Sequence, residues 1–115
     1  MSSDCLFCKI IAGDIPANKV YSDEEVFAFH DINPQAPVHV LVIPKKHLER
    51  ADSATAADQA LLGRLILKAN QIAAELGLSE QGYRYVINSG QHGGQTVFHL
   101  HLHILGGRAL HWPPG

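Results

Sequence analysis

The segment Phe98-His99-Leu100-His101-Leu102-His103-Ile104-Leu105 alternates three histidines with large apolar residues, a period that a helix cannot sort onto one face. In an extended chain, His99, His101 and His103 share one side, and Phe98, Leu100, Leu102 and Ile104 share the other. One side is then core and the other is available for chemistry. Same-side neighbours are about 6.6 Å apart, so adjacent imidazoles can address one small group, and phosphate is of suitable size. The preceding loop, Asn88-Ser89-Gly90-Gln91-His92-Gly93-Gly94-Gln95-Thr96, is rich in glycine, which lets backbone N–H groups approach an anion. An anion site beside three imidazoles is the first expectation.

A chain of 115 residues forms one domain, 1–115, with 106–115 as a C-terminal tail, and has enough surface to bury one core. The net charge of -2, with nine Lys and Arg spread thinly, offers no basic stripe for a nucleic-acid polymer. Met1-Ser2-Ser3-Asp4-Cys5 has neither a basic n-region nor an apolar h-region, and no apolar run is long enough to span a membrane, so a cytoplasmic protein is expected. In such a chain the Cys5-x-x-Cys8 spacing points to metal or redox chemistry rather than to a structural disulfide.

In chain order, 6–12 reads as a short helix ended by Gly13, and Pro16 prevents its continuation. Val20-Tyr21 and 26–30 read as a hairpin around an acidic turn, and 38–43 as a strand with His39, Leu41 and Ile43 on one side. Thr55 and Asp58 have capping-box spacing ahead of a long helix, whose Leu62, Leu65, Ile66, Ala69, Ile72, Ala73 and Leu76 recur at helical intervals before Gly77. A strand from Tyr83 then leads to Asn88 and the glycine loop. This order, without a βαβ rhythm, predicts an α+β domain: a five-stranded antiparallel sheet with two helices packed against it.

The triad segment, together with Phe7-Cys8-Lys9-Ile10-Ile11, His30-Asp31-Ile32, Pro34-Gln35-Ala36-Pro37, His39, Ile43-Pro44-Lys45-Lys46-His47 and Gly93-Gly94-Gln95, resembles the histidine-triad (HIT) superfamily over nearly the whole chain. The ending Gly106-Gly107-Arg108 with His111-Trp112-Pro113-Pro114-Gly115 resembles its Hint branch, the purine nucleoside phosphoramidate hydrolases. Thr96 departs from that branch, which usually has Ser there, as the Fhit branch usually has Thr.

The resemblance implies hydrolysis of an adenosine or guanosine 5′-phosphoramidate through a nucleotidyl-histidine, releasing AMP or GMP. His101 is the expected nucleophile, because it alone has a same-side imidazole on both flanks and a neutral imidazole is nucleophilic near pH 7. His103 and the loop donors would hold phosphate oxygens, and His39 would protonate the leaving amine. By resemblance, Phe7, Ile10, Phe29, Ile32 and Leu41 line the base pocket and Asp31 accepts the ribose hydroxyls. Asn88, Gly94, Gln95 and Thr96 contact the phosphate or leaving group. The resemblance also implies a homodimer, with Trp112 docking near the neighbour's site, and a structural zinc on Cys5, Cys8, His47 and His99. No metal is required for the chemistry itself. Since His101 is not a ligand, the expectation is that metal loss costs stability and spares the catalytic step.

Three alternatives remain at this level. The triad itself can hold zinc, as adjacent strand histidines do in some metalloenzymes. The substrate can be a dinucleoside polyphosphate, as in the Fhit branch. The domain can also be a nucleotide-binding scaffold with incidental activity. His30 is expected to be structural, His92 and His111 solvated, and Lys45-Lys46 an exposed pair at a strand end.

Overall fold

The computed structural model describes residues 4–115; Met1-Ser2-Ser3, part of the leader reading above, lies outside the described residues. The elements run α1 (Leu6–Ala12), β1 (Lys19–Ser22), β2 (Val26–His30), β3 (Val38–Pro44), two 3-10 turns at 51–53 and 56–58, α2 (Gln59–Glu75), β4 (Tyr83–Val86) and β5 (Leu102–Gly106). The five strands form one antiparallel sheet in the order β1-β2-β3-β5-β4. This is the α+β architecture that the sequence pattern predicts.

Strand alternation divides the core into two layers. Val26, Ala28, Val40, Val42, Leu102 and Ile104 face α2 and meet its buried stripe of Leu65, Ala69, Ile72 and Ala73. The intervening Phe27, Phe29, Leu41 and Ile43 face the other way and pack against Cys5, Phe7 and Ile10 of the α1 segment. The two helices therefore cover opposite faces of the sheet. In the β3–β5 register Leu41 lies opposite His103, which puts His103 on the α1 face with His39 diagonal to it.

The triad is less regular than its sequence. The ladder of β5 begins only at Leu102, paired with Val42, and β3 ends at Pro44. Proline has no N–H to continue the ladder. Instead, the Leu100 N–H reaches Leu48 O at 2.7 Å, and the Pro44 carbonyl accepts from the His99 ring. The expected common apolar side also stops at Leu100, because Phe98 lies in a bend and is 47% exposed.

Gly13 ends α1 at φ +85°, donating its N–H to Ile10 O, a left-handed cap that suits glycine. Ahead of α2, Thr55 and Asp58 form the capping box, and the Lys46 ammonium lies 2.6 Å from Asp58 Oδ1. The turn after β3 is thereby tied to the start of α2. Lys46 is 57% exposed on its side chain, so the cap outweighs the ion pair. Asp58→Ala should lower stability by about 1–2 kcal/mol, and Asp58→Asn should recover most of the loss by keeping an acceptor for the Thr55 N–H. Urea unfolding of the three proteins checks this.

Candidate functional site

A cleft of about 600 Å³ opens on the α1 face of the sheet. Phe7 and Ile10 reach it from α1, Phe29 from β2, and His39 and Leu41 from β3. Asp31 and Ile32 line it just beyond β2, Gly94 and Thr96 come from the glycine loop, and His101 and His103 complete the wall. The lining is mostly apolar, and none of the described residues in it is Lys or Arg.

The hydrogen-bond partners fix which ring nitrogen carries each proton. His101 Nδ1 donates to the His99 carbonyl oxygen at 2.7 Å, which leaves Nε2 with the lone pair. His39 Nδ1 accepts from the Gln35 backbone N–H at 3.0 Å, so its proton sits on Nε2. That Nε2–H faces His103 Nδ1 at 2.9 Å, with Asp31 Oδ2 at 3.5 Å. His103 Nδ1 is then an acceptor and its Nε2 carries the proton. His103 Nε2 is also buried without a protein partner, a donor uncommitted at the cleft wall. The His101 and His103 rings are 4.9 Å apart between centroids. A lone pair and a free N–H thus stand side by side.

Burial pushes the pKa values of His39, His101 and His103 below the usual imidazole value, because a cation there loses hydration. His103 falls furthest, to about 4, with His101 and His39 adding to the burial effect. Asp31 opposes the shift at all three.

Behind this wall, Cys5, Cys8, His47 and His99 bring one donor atom each to within 4.8 Å of one another. Tetrahedral zinc with ordinary Zn–S and Zn–N bonds has S···N edges of about 3.5 Å and N···N edges of about 3.3 Å. The corresponding separations are 3.2, 3.4 and 3.5 Å for sulfur to Nδ1, and 3.2 Å between the two Nδ1 atoms. His99 Nε2 donates to Pro44 O at 2.8 Å, which turns the lone pair of Nδ1 toward the sulfurs. Burial and the adjacent Cys5 sulfur push the Cys8 thiol up to about 11, so two thiolates at this point call for a cation. The donor set fits a tetrahedral divalent metal. Asp31, His39 and His103 also converge, but His39 already presents a proton on Nε2, and the group is a hydrogen-bond relay rather than a ligand set.

Of the residues expected from sequence, Phe7, Ile10, Phe29, Asp31, Ile32, Leu41, Gly94, Thr96, His39, His101 and His103 come together at the cleft. Asn88, Gln95 and Trp112 do not line it. Gln95 braces the loop: its amide donates to Glu49 O and Val97 O, and its Oε1 accepts from the Gly90 N–H. Trp112 lies on the tail and is 83% exposed. Sequence reasoning missed Gln35, which acts through its backbone N–H and leaves no side-chain signal. It also missed Ile15 and Ala17, and read Pro16 only as a helix stop, although all three line the cleft.

The loop leaves little room for change. A Cβ on Gly93 would meet Ser89 backbone O at 2.8 Å and N at 2.9 Å. Gly93→Ala should therefore displace Gly94 and Thr96 and cost about 1–3 kcal/mol, read as a lower melting temperature with backbone amide shifts concentrated in 89–97.

Comparison with known proteins agrees with this geometry. The HIT domain family matches residues 12–110. An uncharacterized HIT-like protein of Synechocystis sp. is 60% identical over 115 residues, covering all of both chains. The crystal structure of a HIT family hydrolase from Legionella pneumophila superposes with a TM-score of 0.96 at 51% identity, covering 97% of this chain and 100% of that one. A histidine triad nucleotide-binding protein from Candida albicans gives 0.83 at 31% identity, covering 96% of this chain and 83% of that one. With two histidines of the triad, His101 and His103, in the wall of the cleft and a family match over most of its length, the chain belongs to the HIT domain family.

Proposed function

We propose that the protein hydrolyses purine nucleoside 5′-phosphoramidates through a covalent nucleotide on His101. The observation that carries this reading is the pairing of opposite tautomers: the His101 Nε2 lone pair beside the uncommitted His103 Nε2–H. The relatives named as a hydrolase and as a nucleotide-binding protein support the same class of chemistry.

In the first step Nε2 of His101 attacks the α-phosphorus and the P–N bond breaks. His103 Nε2–H and the loop amides hold the non-bridging oxygens as charge builds on them. The His39–His103 pair takes up one proton from solvent together with the anionic substrate and passes it to the departing nitrogen. Asp31, 3.5 Å from His39, raises the proton affinity of that pair, and the bound anion adds to the effect. In the second step water attacks phosphorus, its proton returns to the pair, and His101 leaves. The apolar lining around Phe7, Ile10, Phe29 and Leu41 suits a purine, with Asp31 near the exit for the ribose hydroxyls. Asp31 Oδ1 already accepts the Asn33 N–H at 2.8 Å, which leaves Oδ2 as the freer oxygen.

The charge of the cleft favours this substrate over a dinucleoside polyphosphate. A polyphosphate leaving group brings several negative charges, and among the described residues no lysine or arginine lines the cleft to meet them. An amine leaving group brings none.

We assign the Cys5/Cys8/His47/His99 set to structural zinc, which when bound neutralises two thiolates and fixes the α1 segment to the triad. Protein purified without chelator should carry close to one zinc per chain by elemental analysis. We also infer a homodimer in the cytoplasm, supported by Trp112, a large aromatic that one copy leaves uncovered. Sedimentation as a monomer at micromolar concentration would count against the dimer. Among the described residues no helix is long and apolar enough to cross a membrane.

His101→Ala should abolish both turnover of adenosine 5′-phosphoramidate and the acid-stable nucleotidyl-enzyme, while keeping nucleotide affinity. His103→Ala and His39→Ala should slow turnover by about 10²–10⁴-fold and still form some intermediate. A covalent nucleotide mapped to His99 or His103 would sink the assignment, and faster cleavage of diadenosine polyphosphate at equal concentration would redirect it.

The pH dependence has a definite sign. Acid protonates the lone pair of His101, so activity falls as pH falls, and the lowered pKa puts that limb of kcat/KM below 6.5. Stability follows the same direction: the buried neutral histidines favour the fold above pH 6.5, and that contribution is lost as pH drops from there toward about 4, where His103 protonates in the fold. Profiles of kcat/KM and of melting temperature between pH 4 and 8 read both.

A further inference from the structure

We propose that the Cys5/Cys8/His47/His99 site positions the nucleophile through His99, and that two-electron oxidation of its thiolates by a peroxide turns the hydrolase off. The proposal rests on His101 being the nucleophile.

His99 joins the two sites. Its ring, fully buried, has Nδ1 3.2 Å from Cys5 Sγ and 3.5 Å from Cys8 Sγ, and its backbone carbonyl takes the His101 Nδ1–H at 2.7 Å. No strand ladder holds that carbonyl, because β5 starts at Leu102. The peptide carrying it is oriented by ring ligation, the Pro44 contact and one backbone bond from Leu100 to Leu48. Phe7 adds a second link. It lies between the two cysteines and sets its ring edge-on to His101 at 5.1 Å and to His99 at 5.9 Å. A change in the Cys5–Cys8 turn therefore reaches His101 by two routes.

The site is also open on one side. Cys5 and His99 are buried, whereas Cys8 and His47 are only partly buried and line a groove of about 430 Å³ with Ile11, Ala12 and Lys45. A small oxidant can enter there. The Cys8 thiolate attacks one oxygen of hydrogen peroxide, breaking the O–O bond to give a sulfenic acid and hydroxide. The Cys5 thiolate, within 4.8 Å, attacks the Cys8 sulfur, forming the S–S bond and expelling a second hydroxide. Two protons from solvent convert the hydroxides to water. The thiolates lose two electrons and the peroxide gains two. His47 and His99 alone then make no tetrahedral set, and the metal leaves. This runs against the expectation that metal loss spares the catalytic step.

The test treats the reduced, zinc-loaded full chain with hydrogen peroxide. It follows zinc release with a chromogenic indicator, free thiols, the ¹⁵N signals of the His101 ring, and hydrolysis of adenosine 5′-phosphoramidate. Two thiols should disappear per zinc released, the His101 Nδ1–H signature should be lost, and kcat should fall by about 10–100-fold with KM less affected. Dithiothreitol with added zinc should reverse all of these changes. Cys8→Asp keeps a metal donor but cannot form the disulfide, so the rate it retains should be insensitive to peroxide. The proposal is overturned if thiols survive excess peroxide, if zinc and thiols go while the His101 signals and kcat stay, or if Cys8→Asp is inactivated like the parent. A reduced, zinc-loaded protein that hydrolyses no phosphoramidate overturns the functional reading instead, and the ring signals still decide the coupling.

Discussion

The hydrogen bond from His101 Nδ1 to the His99 carbonyl decides what the rest of the cleft can do. An imidazole has two nitrogens, and only the one without a proton can attack phosphorus. By fixing the proton on Nδ1, that carbonyl leaves the lone pair on Nε2, and the adjacent His103 presents the opposite arrangement because His39 donates to its Nδ1. His39 in turn takes its orientation from the Gln35 backbone. Each ring is set by a neighbour whose own hydrogen bond is fixed by main chain. Main chain cannot exchange its donor and acceptor roles, and the relay keeps one direction.

The sheet makes this possible by sidedness. A residue at an odd position of β3 faces α1 and one at an even position faces α2, so His39 and Leu41 fall beside His103, while Val40 and Val42 belong to the other core. Slipping β3 against β5 by one residue would send His103 into the apolar layer under α2. Leu102 and Ile104, essentially fully buried, hold the register against that. The apolar half of the triad motif is what aims the polar half.

Much of this was legible in the sequence, and the exceptions have physical causes. The period of two in 38–44 and the helical period in 59–75 report burial directly, so both elements and their faces could be read. The limits of β5 could not. They depend on Pro44, which sits in a different strand and ends the ladder by lacking an N–H. The resemblance implies a ligand contact for Gln95. In the structure its donors and acceptor are taken up by Glu49, Val97 and Gly90. Gln35 was invisible for the opposite reason, since its part is played by an N–H that every residue except proline possesses.

Three imidazoles clustered in a cleft wall are costly to charge, and that cost sets their protonation state. In water each ring would be partly protonated near its ordinary pKa. Burial removes that option by penalising the cation, which leaves His101 neutral, the form that the proposed attack requires. The same burial leaves His103 Nε2 without a protein partner, a deficit that a phosphate oxygen would repair in the proposed complex. In the proposed reaction binding energy is thus directed to the atom where charge develops. A permanent cation there would meet the same oxygen more strongly, but it would hold product and substrate alike. In the proposed reaction an N–H contact at this position strengthens as negative charge grows on the oxygen, which is the discrimination that catalysis requires.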